Sequence, residues 1–266
     1  CQAEPHLTSA ARKPWLERLE AEHDNLRAAL EWASEGDAVQ AMQLAAALRW
    51  FWHFNGHGLQ GREWLERVLL LPVKPGVANS TRYTTARAKA LMAAGFMIAY
   101  GGGEPAAAHA YLLESSTLWR ALGDKRYLAE ALLYYGWAML RQSNQPQMIS
   151  TWEESVTLAR ETTETWLLGF ALGTLGLALS YSPSSMDRAR ELVDESIALW
   201  RQLAEPWGLG QSLTYRGGLA LRMGRLAEAR AFYTDSLTQR RLAGDRWTLA
   251  ISLNDVGDLL RFNGDY

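Results

Sequence analysis

Apolar residues along most of the chain recur every three or four positions, in segments that end at glycine, at proline or at short polar runs. This spacing places apolar side chains on one face of an α-helix. The strict alternation of apolar and polar residues that is typical of a half-buried strand is not sustained anywhere in the sequence. The pattern therefore predicts an all-α protein of consecutive helices joined by short turns.

One type of segment repeats along the last two thirds of the chain. A glycine marks each copy, and successive glycines are 41, 40, 41 and 40 residues apart. A small residue lies seven positions before each glycine, and a leucine lies four positions before it. Glycine inside a helix lowers helix stability, and it is typical of positions that another helix approaches closely. Its recurrence in every copy therefore predicts tightly packed helix pairs. The marking glycines are Gly95, Gly136, Gly176, Gly217 and Gly257.

The downstream half of each copy carries an acidic residue followed by serine. Breakers such as Gly224-Arg225 separate a first from a second helix, and Gly123-Asp124 separates one copy from the next, so each copy is predicted to be a helical hairpin. Because the acidic residues recur in every copy, we expect them to be solvated or to make contacts within a copy rather than to be catalytic. The four pairs are Glu114-Ser115, Glu154-Ser155, Glu195-Ser196 and Asp235-Ser236.

The segment 250–266, with its final Gly264-Asp265-Tyr266, resembles the first helix and turn of a tetratricopeptide repeat. Three features depart from that pattern: the usual first-helix Trp is Leu, the usual second-helix Ala is Ser in four copies, and the period is about 40 rather than 34. HEAT and armadillo repeats share the longer period but not the Gly-Asp-Tyr turn. The resemblance implies a right-handed α-solenoid of tetratricopeptide-like hairpins.

The N-terminal third is less regular. We predict a helix over 14–34, a hairpin of helices over 38–54 and 59–70, and a long connection over 71–80 that could act as a hinge. A single domain over 1–266 is the favoured interpretation. Because the chain begins at a cysteine and stops in mid-repeat, we expect it to be a fragment of a longer protein. Its predicted parts are an N-terminal linker helix (1–37), a first hairpin (38–71) and regular repeats (81–266), the last incomplete.

A narrower resemblance covers about the first 70 residues. The run 15–32, which contains Asp24-Asn25-Leu26-Arg27, and the segment 61–67 are similar to the opening of the repeat region in bacterial STAND-type signalling ATPases. In that family a nucleotide-binding domain and a winged helix precede a tetratricopeptide sensor, and a DNA-binding or other effector domain can be attached. The resemblance implies that Asp24, Asn25 and Arg27 face the preceding nucleotide-binding and winged-helix domains of the same chain.

Composition excludes several classes of function. With 48% apolar and 21% charged residues and no apolar run long enough for a membrane helix, the sequence is typical of a soluble globular protein, and we expect a cytoplasmic protein with no membrane partner. The net charge of −2 provides no basic field for a phosphate backbone, so direct nucleic-acid binding is not expected. The single cysteine forbids an internal disulfide.

Motifs for catalysis, cofactors or metals are missing from the sequence. It contains neither a phosphate-binding loop ending in Gly-Lys-Ser/Thr nor a Gly-x-Ser-x-Gly nucleophile elbow. His53 and His57 have the four-residue spacing of zinc ligands on a helix, but Gly56 interrupts that helix between them. We interpret them as a histidine of an aromatic patch and a turn histidine. No enzyme activity, cofactor or metal is therefore expected.

Function is expected on the surface that the stacked hairpins create. In the tetratricopeptide resemblance, first-helix positions that vary between copies line a concave groove, which suits an inducer small molecule, a peptide or a regulatory protein. For Trp137 and Phe170, the alternative is that they fill gaps between neighbouring first helices. The predicted groove residues are Lys89, Met92, Phe96, Glu130, Trp137, Phe170, Gln211, Thr214, Asn254 and Asp258.

The sequence thus predicts a non-enzymatic sensor arm of a signalling ATPase, which binds an inducer or partner in its groove. A freestanding protein–protein adaptor is the alternative. A phosphate-binding loop upstream in the full-length gene would favour the first function over the second.

Overall fold

All regular elements are helical in the part of the chain that this computed structural model describes, residues 2–140, 145–244 and Gly257. The predicted all-α class is confirmed. Short 3₁₀ helices cover Glu4–His6 and Pro183–Ser185. The α-helices of these residues are α1 (Arg12–Ala21), α2 (His23–Gly36), α3 (Ala38–Ala47), α4 (Arg49–Asn55), α5 (Gly58–Leu69), α6 (Pro75–Ala78), α7 (Thr81–Gly101), α8 (Pro105–Leu122), α9 (Lys125–Leu140), α10 (Gln145–Arg160), α11 (Thr165–Leu179), α12 (Met186–Gln202), α13 (Pro206–Arg222) and α14 (Leu226–Ala243).

The helices form two compact units, the first ending at Thr162 and the second beginning at Thr163. In the first unit α7 packs on α8, α8 on α9 and α9 on α10, while α7 also contacts α9. In the second unit α11, α12, α13 and α14 pack in the same serial order, and α11 also contacts α13. Within each unit, consecutive helices of these hairpins thus contact each other, and the first helix of one hairpin contacts the first helix of the next, as in an α-solenoid. That 1–266 is one domain stays a prediction.

Two predicted N-terminal helices are each divided in two. The helix expected over 14–34 is interrupted at Glu22 (φ −98°, ψ 10°), and the helix expected over 38–54 is interrupted at Leu48 (φ −87°, ψ −3°). Because α1 packs on α4 while α2 packs on α3, the two bends together keep both helix pairs in contact. The predicted connection over 71–80 contains one helical turn, α6.

The repeated serine of each copy joins the two helices of its hairpin. Its hydroxyl donates to the carbonyl oxygen of the small residue that lies seven positions before the marking glycine. All four serines are fully buried, and a buried hydroxyl requires such a partner. The bonds are Ser115 Oγ to Ala88 O (2.8 Å), Ser155 Oγ to Ala129 O (2.7 Å), Ser196 Oγ to Gly169 O (2.6 Å) and Ser236 Oγ to Gly210 O (2.7 Å).

The marking glycine lies where the second helix of the same hairpin comes closest. In each of the four described hairpins, a Cβ on this glycine would overlap the side chain that lies three residues before the repeated serine. The glycine is therefore required by helix approach, as the repeat predicts. The facing pairs are Gly95 with Leu112, Gly136 with Trp152, Gly176 with Val193 and Gly217 with Tyr233.

Turns between helices use the predicted breakers. Gly123 ends α8 in the left-handed region (φ 71°), which glycine adopts without strain, and Asp124 then accepts a hydrogen bond from the Tyr127 amide at 3.1 Å to cap α9. The predicted first helix and turn over 250–266 and the predicted turn residues 143–144 lie outside the described residues. None of the helices that the structure describes has the length and apolar character needed to span a bilayer.

Gly136→Ala is expected to destabilise the fold even though alanine is the better helix former by about 1 kcal/mol. The new methyl group would overlap the Trp152 indole, whose Nε1 donates to the Leu133 carbonyl oxygen at 2.9 Å. Overpacking of this kind costs about 1–3 kcal/mol in the free energy of unfolding, measurable by urea denaturation. The matched control is Gly36→Ala in α2, where a Cβ meets nothing within 4 Å. Equal effects of the two substitutions would contradict the packing role.

Candidate binding surface

Two predicted groove residues of α7 lie in the core of the first unit. Met92 is 1% exposed and Phe96 is fully buried. The ring of Phe96 lies 4.9 Å from that of Trp50 and 4.8 Å from that of Tyr134. The prediction that these two residues line an open groove is wrong, because α3, α4 and α5 pack over α7.

Phe170 in the second unit is also buried, at 2% exposure. Its ring makes edge contacts with Trp166 at 5.5 Å and with Trp207 at 5.3 Å. The groove prediction is wrong for this residue too. Within the second unit, Phe170 fills space between the first helices α11 and α13, which is the alternative given above.

Two further predicted groove residues lie on α13 and are half-buried. Gln211 donates through Nε2 to the Tyr215 hydroxyl at 2.6 Å. The Thr214 hydroxyl lies 2.8 Å from the hydroxyl of Ser236, the repeated serine of this hairpin. Both side chains thus make contacts within the second unit, and their role in binding stays a prediction.

Four further predicted residues are half-buried or exposed, and two lie outside the described residues. Lys89 is half-buried, with its ammonium 4.5 Å from the centre of the Tyr127 ring. The predicted interdomain residues are exposed on α2, as an interdomain contact requires; they are Asp24, Asn25 and Arg27. That they face a preceding domain stays a prediction. Asn254 and Asp258 are not among the described residues.

Glu130 takes part in a buried ion pair rather than in a groove surface. Its Oε1 lies 2.6 Å from a guanidinium nitrogen of Arg49 and accepts a hydrogen bond from the Tyr134 hydroxyl at 2.9 Å. Exposure is 7% for Glu130 and 8% for Arg49. The bond links α4 to α9, 81 positions apart in sequence. The groove prediction is therefore wrong for Glu130, because its carboxylate is already paired and shielded from solvent.

The electrostatics of this cluster favour a charged pair beside a neutral phenol. Burial is the largest single effect and opposes the charge of Arg49, but the attraction of Glu130 together with smaller contributions from neighbouring groups outweighs it, so the pKa of the guanidinium is raised. Burial raises the pKa of Tyr134 well above its usual value, and the Glu130 charge acts in the same direction. Sequence reasoning missed Arg49, although one cation within the apolar run 41–52 was a usable signal.

Trp137 is the predicted groove residue that joins a surface of half-buried aromatic rings. We call this surface the aromatic row and define it as His53, Phe54, Tyr100 and Trp137. Ring centroids are 5.0 Å apart between Phe54 and His53, 6.1 Å between His53 and Tyr100, and 5.3 Å between Tyr100 and Trp137. The row thus runs across the C-terminal ends of α4, α7 and α9.

The indole N–H of Trp137 is shielded from solvent and meets no acceptor among the described residues, while its ring contacts that of Trp152 at 5.7 Å. A buried donor without a partner is costly, so a bound group whose oxygen met this N–H after a small rotation of the indole would be favourable here. Helix C-termini carry partial negative charge, which favours a neutral acceptor over a carboxylate at this surface. The row therefore suits an apolar or aromatic group that carries a hydrogen-bond acceptor.

A separate cleft of about 10 Å³ lies between α2, α4 and α5, lined by His23, Phe51, Gln60 and Trp64 among others. Pockets for drug-sized ligands typically occupy about 300–1,000 Å³. This cleft is thus too small to be the principal site for such a ligand.

Sequence comparison finds relatives but no family. No protein-family model matches the chain. Proteins of Mycobacterium bovis and of two Mycobacterium tuberculosis strains, each named "Putative HTH-type transcriptional regulator", are 27% identical over 208 residues. The match covers 71% of this chain and 23% of each relative, so the chain spans about a quarter of the length of these relatives.

Structural comparison shows the same fold in two solved proteins. One is a Signal Transduction ATPase with Numerous Domains (STAND) protein with a tetratricopeptide repeat sensor from Pyrococcus horikoshii, with a TM-score of 0.57 and 16% identity over 95% of this chain and 42% of that one. The other is BtubC from P. vanneervenii, with a TM-score of 0.57 and 13% identity over 85% of this chain and 91% of that one. Both likenesses concern the fold alone and support a helical-repeat architecture.

Glu130→Gln is expected to lower the free energy of unfolding by about 3–5 kcal/mol, because it leaves the buried charge of Arg49 without a counter-ion. Chemical denaturation measures the change. The control is Glu114→Gln, which removes the charge from a half-exposed pair with Arg87 at 2.6 Å. Such pairs contribute about 0–1 kcal/mol. Similar losses for the two variants would show that the buried pair has no special role.

Proposed function

We propose that the chain is a non-enzymatic regulatory segment that binds an apolar or aromatic group, from an inducer or from a peptide, on the aromatic row. The observation that carries the proposal is the shielded indole N–H of Trp137, which has no acceptor within the described part of the chain. The rings beside it are half-buried, so they offer apolar surface that a ligand can cover without unfolding the hairpins.

The energetics favour a ring or branched aliphatic group with a neutral carbonyl oxygen. Contacts between aromatic rings contribute about 0.5–1.5 kcal/mol each beyond the burial of their area. An oxygen that accepts from Trp137 would add about 0.5–1.5 kcal/mol. Together these contributions correspond to roughly tenfold or more in affinity.

The proposed context is the sensor part of a STAND-type signalling ATPase. It is supported by the likeness to the P. horikoshii STAND protein and by the mycobacterial relatives named as regulators, which extend well beyond the matched region. In this proposal the ligand favours one arrangement of the hairpins and so shifts the preceding nucleotide-binding domain between its states. The shift is limited by the difference in ligand affinity between those states.

A freestanding adaptor is the second candidate. It is favoured by BtubC, because the matched fold makes up 91% of that chain. ATP hydrolysis by the protein expressed from the full-length gene separates the two functions. Hydrolysis that changes on addition of the ligand supports the ATPase sensor, whereas a full-length protein without nucleotide binding supports the adaptor.

Trp137→Ala is expected to abolish ligand-induced stabilisation. The probe is a defined set of aromatic amino-acid amides, indole amides, aliphatic amides and N-acetylated tripeptide amides with one aromatic residue, tested by thermal shift. At least one compound should raise the Tm of the wild type and bind Trp137→Ala at least about tenfold more weakly. Trp137→Phe, which keeps a ring but lacks the N–H, should lose part of this affinity.

The matched control is Trp32→Ala, which removes an indole that is 69% exposed on α2 and outside the row. It should bind the same compounds as the wild type. Equal stabilisation of Trp137→Ala and the wild type would contradict the site. Loss of folding in Trp137→Ala, with unchanged affinity in Trp137→Phe, would show that Trp137 serves packing alone.

A further inference from the structure

Three potential metal ligands meet at the N-terminal end of the first unit. Glu20 lies near the end of α1, His23 begins α2, and His57 lies in the turn between α4 and α5. The interruption at Glu22 and the left-handed turn at Gly56 (φ 80°) bring them together. One ligand atom from each of the three lies within 4.8 Å of the others. The cluster shares no residue with the aromatic row.

The geometry of the cluster is close to that of a coordination sphere. Nε2 of His57 lies 2.9 Å from one carboxylate oxygen of Glu20 and 3.2 Å from the other. The rings of His23 and His57 are nearly perpendicular, with centroids 4.3 Å apart. Zinc binds imidazole and carboxylate at about 2.0–2.2 Å, so its tetrahedral ligands are about 3.4 Å apart. Small side-chain rotations would therefore bring all three ligands to bonding distance.

Neighbouring side chains hold these ligands in place. Asn55 donates through Nδ2 to Glu20 Oε2 at 2.6 Å, and the Gln60 side-chain oxygen lies 2.8 Å from Nε2 of His23. The buried ring of Phe51 contacts both imidazoles, at 5.6 and 5.5 Å. Such contacts orient metal ligands and commonly surround metal sites.

We propose that Glu20, His23 and His57 bind one divalent transition-metal ion of the zinc class. Two imidazoles and one carboxylate suit zinc, cobalt or nickel, whereas magnesium and calcium prefer oxygen ligands alone. With three protein ligands, the fourth position of a tetrahedral ion is open to water. The proposed site differs from the pair His53 and His57 considered from the sequence. Its second imidazole comes from His23 rather than from His53.

The charge of the cluster is consistent with cation binding. The Glu20 carboxylate lies among the three ligand groups and offers one negative charge at neutral pH. A bound ion would tie α1, α2 and the α4–α5 turn together. The same helix, α2, carries the exposed Asp24, Asn25 and Arg27, so the ion would fix the surface expected to face a preceding domain.

The test is a zinc titration of tag-free, chelator-treated protein by isothermal calorimetry. All variants carry Cys1→Ser, so that the thiol of Cys1 cannot bind zinc. Saturable binding of one equivalent is expected, with tetrahedral cobalt absorption on substitution by Co²⁺. His57→Gln, His23→Gln and Glu20→Gln should each weaken binding at least roughly tenfold, since even outer partners of a metal site change affinity by about 10–100-fold.

The matched control is His6→Gln, which removes an exposed histidine outside the cluster and should leave zinc binding unchanged. Circular dichroism verifies that each variant is folded, and Glu20 is exposed, so Glu20→Gln is not expected to disturb packing. Absence of saturable zinc binding, equal binding by all variants, or equal competition by Mg²⁺ would each overturn the proposal. None of these outcomes bears on the aromatic row, because the two sites are tested separately.

Discussion

The structure depends on one repeated contact between the two helices of each hairpin. A buried serine of the second helix donates to a carbonyl oxygen of the first, and the residue three positions earlier packs where the first helix has a glycine, as Ser155 and Trp152 do against Ala129 and Gly136. Since the glycine contact does not tolerate a larger residue and the serine bond requires one particular carbonyl, the pair fixes both the distance and the register of the hairpin. The 40-residue period of the sequence is the period of this contact.

The hairpin register has consequences for the surface. Within the first unit, α7 and α9 contact each other directly, so their C-terminal ends lie side by side. Tyr100 and Trp137 occupy these ends, and α4 adds His53 and Phe54. A buried ion pair between Arg49 and Glu130 ties α4 to the same layer. The aromatic row is therefore a product of hairpin packing and of one long-range charged contact.

The repeat made the hairpins and their close contacts predictable from sequence, because the same physical requirement left the same residues in every copy. Features without a counterpart in other copies were not predictable. The bends at Glu22 and Leu48 involve neither glycine nor proline, and the burial of Met92 and Phe96 results from N-terminal helices that pack on α7. Glu130 appeared to face a groove because its partner, Arg49, lies 81 positions away.

The measurement that tests the central role of the repeated contact is the free energy of unfolding of Ser155→Ala compared with Ser150→Ala. Both serines lie on α10, but Ser155 is buried and bonded to Ala129, whereas Ser150 is exposed and bonds locally to the Gln147 carbonyl oxygen. The buried substitution should cost about 0.5–1.5 kcal/mol more than the exposed one. Equal values for the two variants would contradict the claim that this bond fixes the hairpin.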